Sequence, residues 1–211
     1  MVIILFIVPK MTEWQQAQEF EANWHNTIGT NTYFEEMKQL VYANRMGIEI
    51  YKTPETPYNI KNYGSIVDIG GGEVSLLLKV QNPKGCIVVD PLNYPLWALE
   101  RYKSKGIDFK RMRGEDFVFA PDVQTIFDEA WIYNCCQHTD NPKKIIKNAK
   151  KVAKIIRIFE WLDTPVSPGH IHTLAAENLD KWLGGTGRVE QIHEQGCMGK
   201  CYYGIFMGDN K

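Results

Sequence analysis

The chain has 211 residues, an apolar fraction of 44%, a charged fraction of 23% and a formal net charge of −1. The length suits one α/β domain with a modest N-terminal addition, and the near-neutral balance argues against the broad basic face of a nucleic-acid binder. Five cysteines, an odd number, with Cys86, Cys135 and Cys136 in apolar runs, fit reduced thiols in a cytoplasmic protein better than a disulfide framework.

The apolar run from Val2 to Val8 ends at Pro9-Lys10. It is too short to span a bilayer and lacks a basic leader and a small-residue cleavage site, so a buried strand or a sticky leader is expected, with a signal anchor as the minor alternative and no membrane partner. From Met11 to about Gly47 the pattern is helical. Thr32-Tyr-Phe-Glu35 has capping-box form and is followed by Met37, Leu40, Val41 and Ala43. Aromatic residues are dense here, and Trp24, His25 and Tyr33 are taken as candidates for a substrate-facing wall. Thr53-Pro-Glu-Thr-Pro57 reads as a loop, and residues 1–60 are expected to form a helical cap.

From residue 61 to 211 short β-rich runs alternate with helical ones. Strands are predicted at Ser65 to Ile69, Gly85 to Asp90, Phe109 to Arg113, Thr125 to Tyr133 and Lys154 to Glu160. Helices are predicted at Glu73 to Val80, Pro95 to Lys105, Lys143 to Ala153 and Leu174 to Leu183. The alternation implies a parallel sheet with helices on both faces. The last two runs, Arg188 to His193 and Lys200 to Met207, have no helix between them and fit an antiparallel pair. The cluster Lys143, Lys144, Lys147, Lys150, Lys151 and Lys154 has helical spacing and reads as a solvated face.

The chemistry centres on Val67-Asp68-Ile69-Gly70-Gly71-Gly72-Glu73, where an apolar strand runs into three glycines. Such a turn lets a ligand approach the main chain, at the strand edge where doubly wound sheets bind ligands. Asp90 ends the next strand about twenty residues on, the spacing at which a carboxylate meets a ribose. A nicotinamide dinucleotide and S-adenosylmethionine both satisfy that spacing. Asp68 favours the second, because a buried carboxylate beside the turn opposes a pyrophosphate and suits a cationic amino group and sulfonium.

The run Asp68-Ile-Gly-Gly-Gly72 followed by Asp90 resembles the first two motifs of the class I S-adenosylmethionine-dependent methyltransferases. Gly114-Glu-Asp-Phe117, Phe127 to Asn134 and Gln137-His-Thr-Asp-Asn-Pro142 extend the resemblance, which covers about Ser65 to Met207. It implies a Rossmann-like, seven-stranded, mostly parallel sheet with an antiparallel terminal strand. It also implies that S-adenosylmethionine is held by Asp68, Gly70, Gly71, Gly72, Asp90, Pro91, Leu92, Gly114, Glu115 or Asp116, Tyr133 and Asn134, with S-adenosylhomocysteine as product.

On the acceptor side, His138 follows the fourth core strand, His170 and His172 sit in Pro168-Gly-His-Ile-His172, and Glu160 ends the fifth strand. These four are the candidate catalytic residues, the three histidines doubling as substrate contacts, and no metal is expected. The expected activity is methyl transfer to a small-molecule hydroxyl or amine, by a monomer or homodimer, without a nucleic-acid partner. The alternatives are a nucleic-acid or protein methyltransferase, a nicotinamide-dependent oxidoreductase and a non-catalytic S-adenosylmethionine-binding protein.

Overall fold

A computed structural model describes residues 10–27, 32–117, 126–194 and 196–209. The expected strand over Val2 to Val8 lies outside the described residues. Two helices come first, α1 (Glu13–Thr27) and α2 (Thr32–Arg45), then a two-stranded antiparallel ribbon of β1 (Ile50–Tyr51) and β2 (Asn59–Ile60). The remaining elements are β3 (Ile66–Ile69), β4 (Ile87–Asp90), α3 (Leu96–Lys105), β5 (Asp108–Arg111), β6 (Phe127–Tyr133), α4 (Pro142–Val152), β7 (Ala153–Trp161), α5 (Ala176–Leu183), β8 (Arg188–Glu194) and β9 (Cys197–Met207).

Seven strands form one sheet in the order β5-β4-β3-β6-β7-β9-β8. Pairing is parallel from β5 to β7, and β9 runs antiparallel to both β7 and β8. The predicted terminal hairpin is therefore present, with the last strand inserted between its partner and the parallel core. β3 and β4 are buried at every position, as expected for strands covered on both faces. One apolar layer packs α4 and α5 on the sheet through Ile145, Ile146, Ala149, Leu179 and Leu183. The other packs α2, α3 and the Leu76–Leu78 run through Tyr42, Ala43, Met46 and Tyr102.

Local chemistry accounts for the boundaries. Asn141 caps α4 by accepting from the Lys144 amide, and Pro142 opens the helix, where its missing N–H costs nothing. Ile145, Ile146, Ala149 and Val152 face inward, while Lys143, Lys144, Lys147 and Lys151 are exposed. All five cysteines are free and buried. No helix among the described residues is long and apolar enough to cross a membrane.

One element departs from the sequence pattern. Glu73 to Val80, expected as an α-helix, forms only a 3₁₀ turn at Leu76–Lys79. Ser75 Oγ accepts from the Leu77 amide and donates to Asp68, a local bond that competes with helical pairing. Val80 then bridges Ile60 in parallel fashion, so the chain is drawn back to the ribbon rather than continued as a helix.

The buried ion pair of the sheet also ties down the end of α2. Arg157 Nε and Nη2 donate to the two carboxylate oxygens of Glu129 at 2.7 and 2.9 Å, and Nη1 donates to the carbonyls of Met46 and Gly47 at 2.8 and 3.1 Å. Glu129 also accepts from Trp131 Nε1 at 2.7 Å.

Candidate active site

The strand order reverses between β3 and β6, and a cavity of about 470 Å³ opens at the carboxyl ends of these strands, where doubly wound sheets bind ligands. Its floor is the turn Gly70, Gly71 and Gly72. Gly70 and Gly72 have φ of 79° and 68°, a conformation side chains rarely adopt. A Cβ on Gly70 would stand 2.5 Å from that of Cys135, so only glycine fits there.

Asp90 ends β4 at the cavity wall. Its Oδ2 accepts from the Gly72 amide at 3.3 Å and its Oδ1 from the Leu92 amide at 3.0 Å. With Tyr94 donating as well, the carboxylate keeps acceptor capacity for a further hydroxyl. Burial raises its pKa above the ordinary carboxylate value, although the Leu92 amide, Tyr94, His25 and Gly72 oppose the shift. Pro91, Leu92, Gly114 and Glu115 continue the wall. Glu115 Oε1 accepts from the Asp140 and Asn141 amides at 2.9 and 3.0 Å, which fixes the start of α4. Its neighbour Asp116 is off the cavity and pairs with Lys144 at 3.3 Å. The one-residue ambiguity in the sequence thus has a geometric answer: of the two, Glu115 faces the cavity.

Tyr133 and Asn134, at the end of β6, also line it. Asn134 has φ of 50°, tolerable for Asn, and its Oδ1 accepts from Gln137 Nε2 at 3.1 Å. Asp68 stands elsewhere. It is fully buried beneath the turn, where its Oδ2 accepts from Ser75 Oγ and Tyr133 Oη. Burial pushes its carboxyl up to about 7 despite those two donors. It braces the glycine turn from below, and the carboxylate on the cavity side is Glu73, which sequence reasoning missed. Glu73 is 2% exposed, and its Oε1 lies 3.4 Å from His25 Nδ1, with which it is paired.

Helix α1 covers the cavity. Trp14, Gln18, Glu21 and His25 form one stripe along it and all face inward. Trp24 lines the cavity too, whereas Tyr33 is 70% exposed and stands off it, because it begins α2 on the solvent side. Burial lowers the His25 imidazole, but its bond to Glu73 and the charges of Glu73, Glu21 and Asp90 outweigh that and hold it above its ordinary value.

Opposite α1 stand His138 and His170, their rings 4.7 Å apart. His138 Nδ1 lies 2.8 Å from the Gly169 carbonyl and 3.2 Å from Glu21 Oε1. Burial pushes its imidazole down, but the bond to Glu21 and its charge leave it net raised. His170 is lowered by burial and by His138. His172 does not line the cavity. Two residues beyond His170, its Nε2 lies 3.3 Å from the Asp140 carbonyl.

Glu160 does not reach the acceptor side either. It is fully buried, and its Oε1 accepts from the Cys135 and Cys136 amides at 3.2 and 3.1 Å, holding the turn after β6. Its carboxylate and the two thiols lie within 4.8 Å of one another, a grouping that this support of the turn explains. Burial raises the Glu160 carboxyl to about 7 against those amide donors. A carboxyl held above its unfolded value of about 4.3 costs the folded chain stability progressively as pH rises through about 7. Glu160→Gln keeps the acceptor and removes the titration. Its melting temperature should therefore fall less than that of the native chain between about pH 5 and pH 8; an equal fall would refute the burial argument.

This sheet order, with the reversed strand β9 and the cavity at the β3 turn, is the Rossmann-like fold of the class I S-adenosylmethionine-dependent methyltransferases. Among solved structures it is similar to 1,6-didemethyltoxoflavin-N1-methyltransferase of Burkholderia thailandensis, with bound 1,6-didemethyltoxoflavin and S-adenosylhomocysteine. The TM-score is 0.60 at 11% identity, over 95% of this chain and 92% of that one. It is also similar to the N-methyltransferase NodS of Bradyrhizobium japonicum WM9 in complex with S-adenosylhomocysteine, at TM-score 0.57 and 14% identity over 95% of this chain and all (100%) of that one. A third is a possible histamine N-methyltransferase of Thermotoga maritima, at TM-score 0.56 and 13% identity over 94% and 100% of the two chains. No family model and no curated protein matches the sequence.

Proposed function

We propose that this chain transfers a methyl group from S-adenosylmethionine to a hydroxyl or amine of a small molecule, with residues 1–60 acting as a cap. The observation that carries the reading is the alignment of Gly70 to Gly72, Asp90 and Glu115 along one wall of a single cavity. The residues fit the cofactor. The glycine turn has no Cβ to obstruct an approaching ligand, Asp90 keeps acceptor capacity for a ribose hydroxyl, and Glu73 puts a buried carboxylate, paired with His25, on the cavity side. A volume of about 470 Å³ is within the range of small-ligand sites.

S-adenosylmethionine supplies an electrophilic methyl on a cationic sulfur. The protein's part is to align the acceptor and exclude water. Trp14, Trp24 and Phe20 on α1 give the cavity an apolar roof, and His138 and His170 stand where an acceptor entering beneath it would meet them. Of the similar solved structures, one holds 1,6-didemethyltoxoflavin beside S-adenosylhomocysteine and another is named a possible histamine N-methyltransferase.

Isothermal titration with S-adenosylhomocysteine, with NADH as control, tests the reading. Micromolar binding of the first alone is expected; binding of NADH alone would replace methyl transfer with hydride transfer. Asp90→Ala should weaken S-adenosylhomocysteine binding by about 1–3 kcal/mol through lost hydrogen bonds, and unchanged affinity would remove Asp90 from the site.

A further inference from the structure

Helix α1 contributes more to the cavity than a roof. Glu21 Oε1 lies 3.2 Å from His138 Nδ1, and the Gly169 carbonyl lies 2.8 Å from the same nitrogen. Both neighbours are acceptors. Nδ1 therefore carries the proton, and in the neutral ring Nε2 carries the lone pair. Gln137 Nε2 is 3.4 Å from His138 Nε2, a donor facing an acceptor, which agrees with that tautomer. A carboxylate behind one nitrogen, with a lone pair on the other that now meets only the long 3.4 Å contact from Gln137, is the arrangement of an oriented general base. Here the carboxylate and the histidine come from different parts of the fold, the covering helix and the turn after β6.

We propose that Glu21 is a positioning residue that orients His138 as the base for the acceptor, so that the base is complete only while α1 lies over the cavity. The inference rests on the methyl-transfer reading. In the step it serves, the acceptor's oxygen or nitrogen lone pair forms the bond to the methyl carbon. The carbon–sulfur bond breaks with its pair going to sulfur, which leaves as the thioether of S-adenosylhomocysteine. The acceptor's proton passes to His138 Nε2, and the resulting imidazolium keeps its Nδ1–H between the Gly169 carbonyl and Glu21, whose charge stabilises it. The other titratable groups around the pair are His170, edge-on to His138, His25 one turn further along α1, and Glu160 beneath the β6 turn. His170 and His25 bear on Glu21 and Glu160 on His138, so Glu21 remains the carboxylate in contact with the ring.

The test is the titration of His138 followed by NMR in histidine-labelled protein, its signal assigned by loss in His138→Asn. In Glu21→Gln, His138 should titrate at lower pH than in the native chain, because a neutral amide no longer stabilises the imidazolium. Glu21→Asp should restore part of the shift. With an acceptor in hand, Glu21→Gln should lower kcat about 10-fold or more and move the acid limb of the kcat/KM profile to lower pH, with the Kd for S-adenosylhomocysteine within about twofold of the native value. An unchanged His138 titration in a variant that still binds S-adenosylhomocysteine would overturn the role of Glu21 and leave methyl transfer standing. Failure of the native chain to bind S-adenosylhomocysteine would overturn methyl transfer, and this inference with it.

Discussion

Gly70→Ala is expected to lower the affinity for S-adenosylhomocysteine about 100-fold, the scale on which a displacement of about 1 Å is felt in a preorganised site. Two effects combine. A residue with a Cβ at φ of 79° pays about 1–2 kcal/mol in the left-handed region. That Cβ would also stand 2.5 Å from the Cβ of Cys135 and 2.9 Å from its sulfur, so either the turn or the chain after β6 must move. Gly72→Ala is the informative comparison. Its φ of 68° carries the same conformational cost, yet the nearest atom to its Cβ is the Tyr94 hydroxyl at 3.8 Å. Calorimetry should therefore find Gly72→Ala the milder change, and equal losses would show that conformation alone, not the contact with Cys135, sets the effect.

Arg157→Met should destabilise the fold by about 3–5 kcal/mol, because it leaves a buried carboxylate without its cation. Glu129 is 3% exposed and Arg157 7%, so water cannot substitute for the lost partner. The Met46 and Gly47 carbonyls lose their donor as well, which should loosen the attachment of α2 to the sheet. Adding Glu129→Gln should recover part of the loss, since an amide removes the unpaired charge and still accepts from the Trp131 indole. Urea unfolding would measure both. A loss below about 1 kcal/mol, the value of an exposed pair, would show that water reaches this one.

The parts of the site that were legible in the sequence are those written over a few consecutive residues. An apolar strand running into glycines, and a carboxylate ending the next strand, mark the sheet edge wherever they occur, and the structure puts Gly70 to Gly72 and Asp90 on one cavity. Direction within a segment was harder to read. Asp68 and Glu73 flank the same turn, but which of them faces the ligand depends on how the backbone twists through two left-handed glycines. The two histidines of Pro168 to His172 face different ways, and Glu160 is turned inward to meet the amides of the β6 turn. The stripe on α1 was hidden for another reason. Gln18, Glu21 and His25 turn polar side chains into the cavity, so they look like a solvent face, and the helix lacks the apolar periodicity by which packing is recognised.

The short turn after the glycines bears on turnover. An α-helix there would aim the positive end of its macrodipole at the cavity, but the 3₁₀ turn at Leu76–Lys79 is four residues long and its Leu77 amide is already taken by Ser75. The field near the turn is set by Glu73 and Asp90, with His25 beside Glu73 offsetting part of it. On the proposed reaction, the ligand enters with a positive sulfur and leaves with a neutral one. An acidic floor without an opposing dipole holds the incoming ligand more tightly than the spent one, so the same charge that recruits the methyl donor weakens the hold on its product once the methyl has gone.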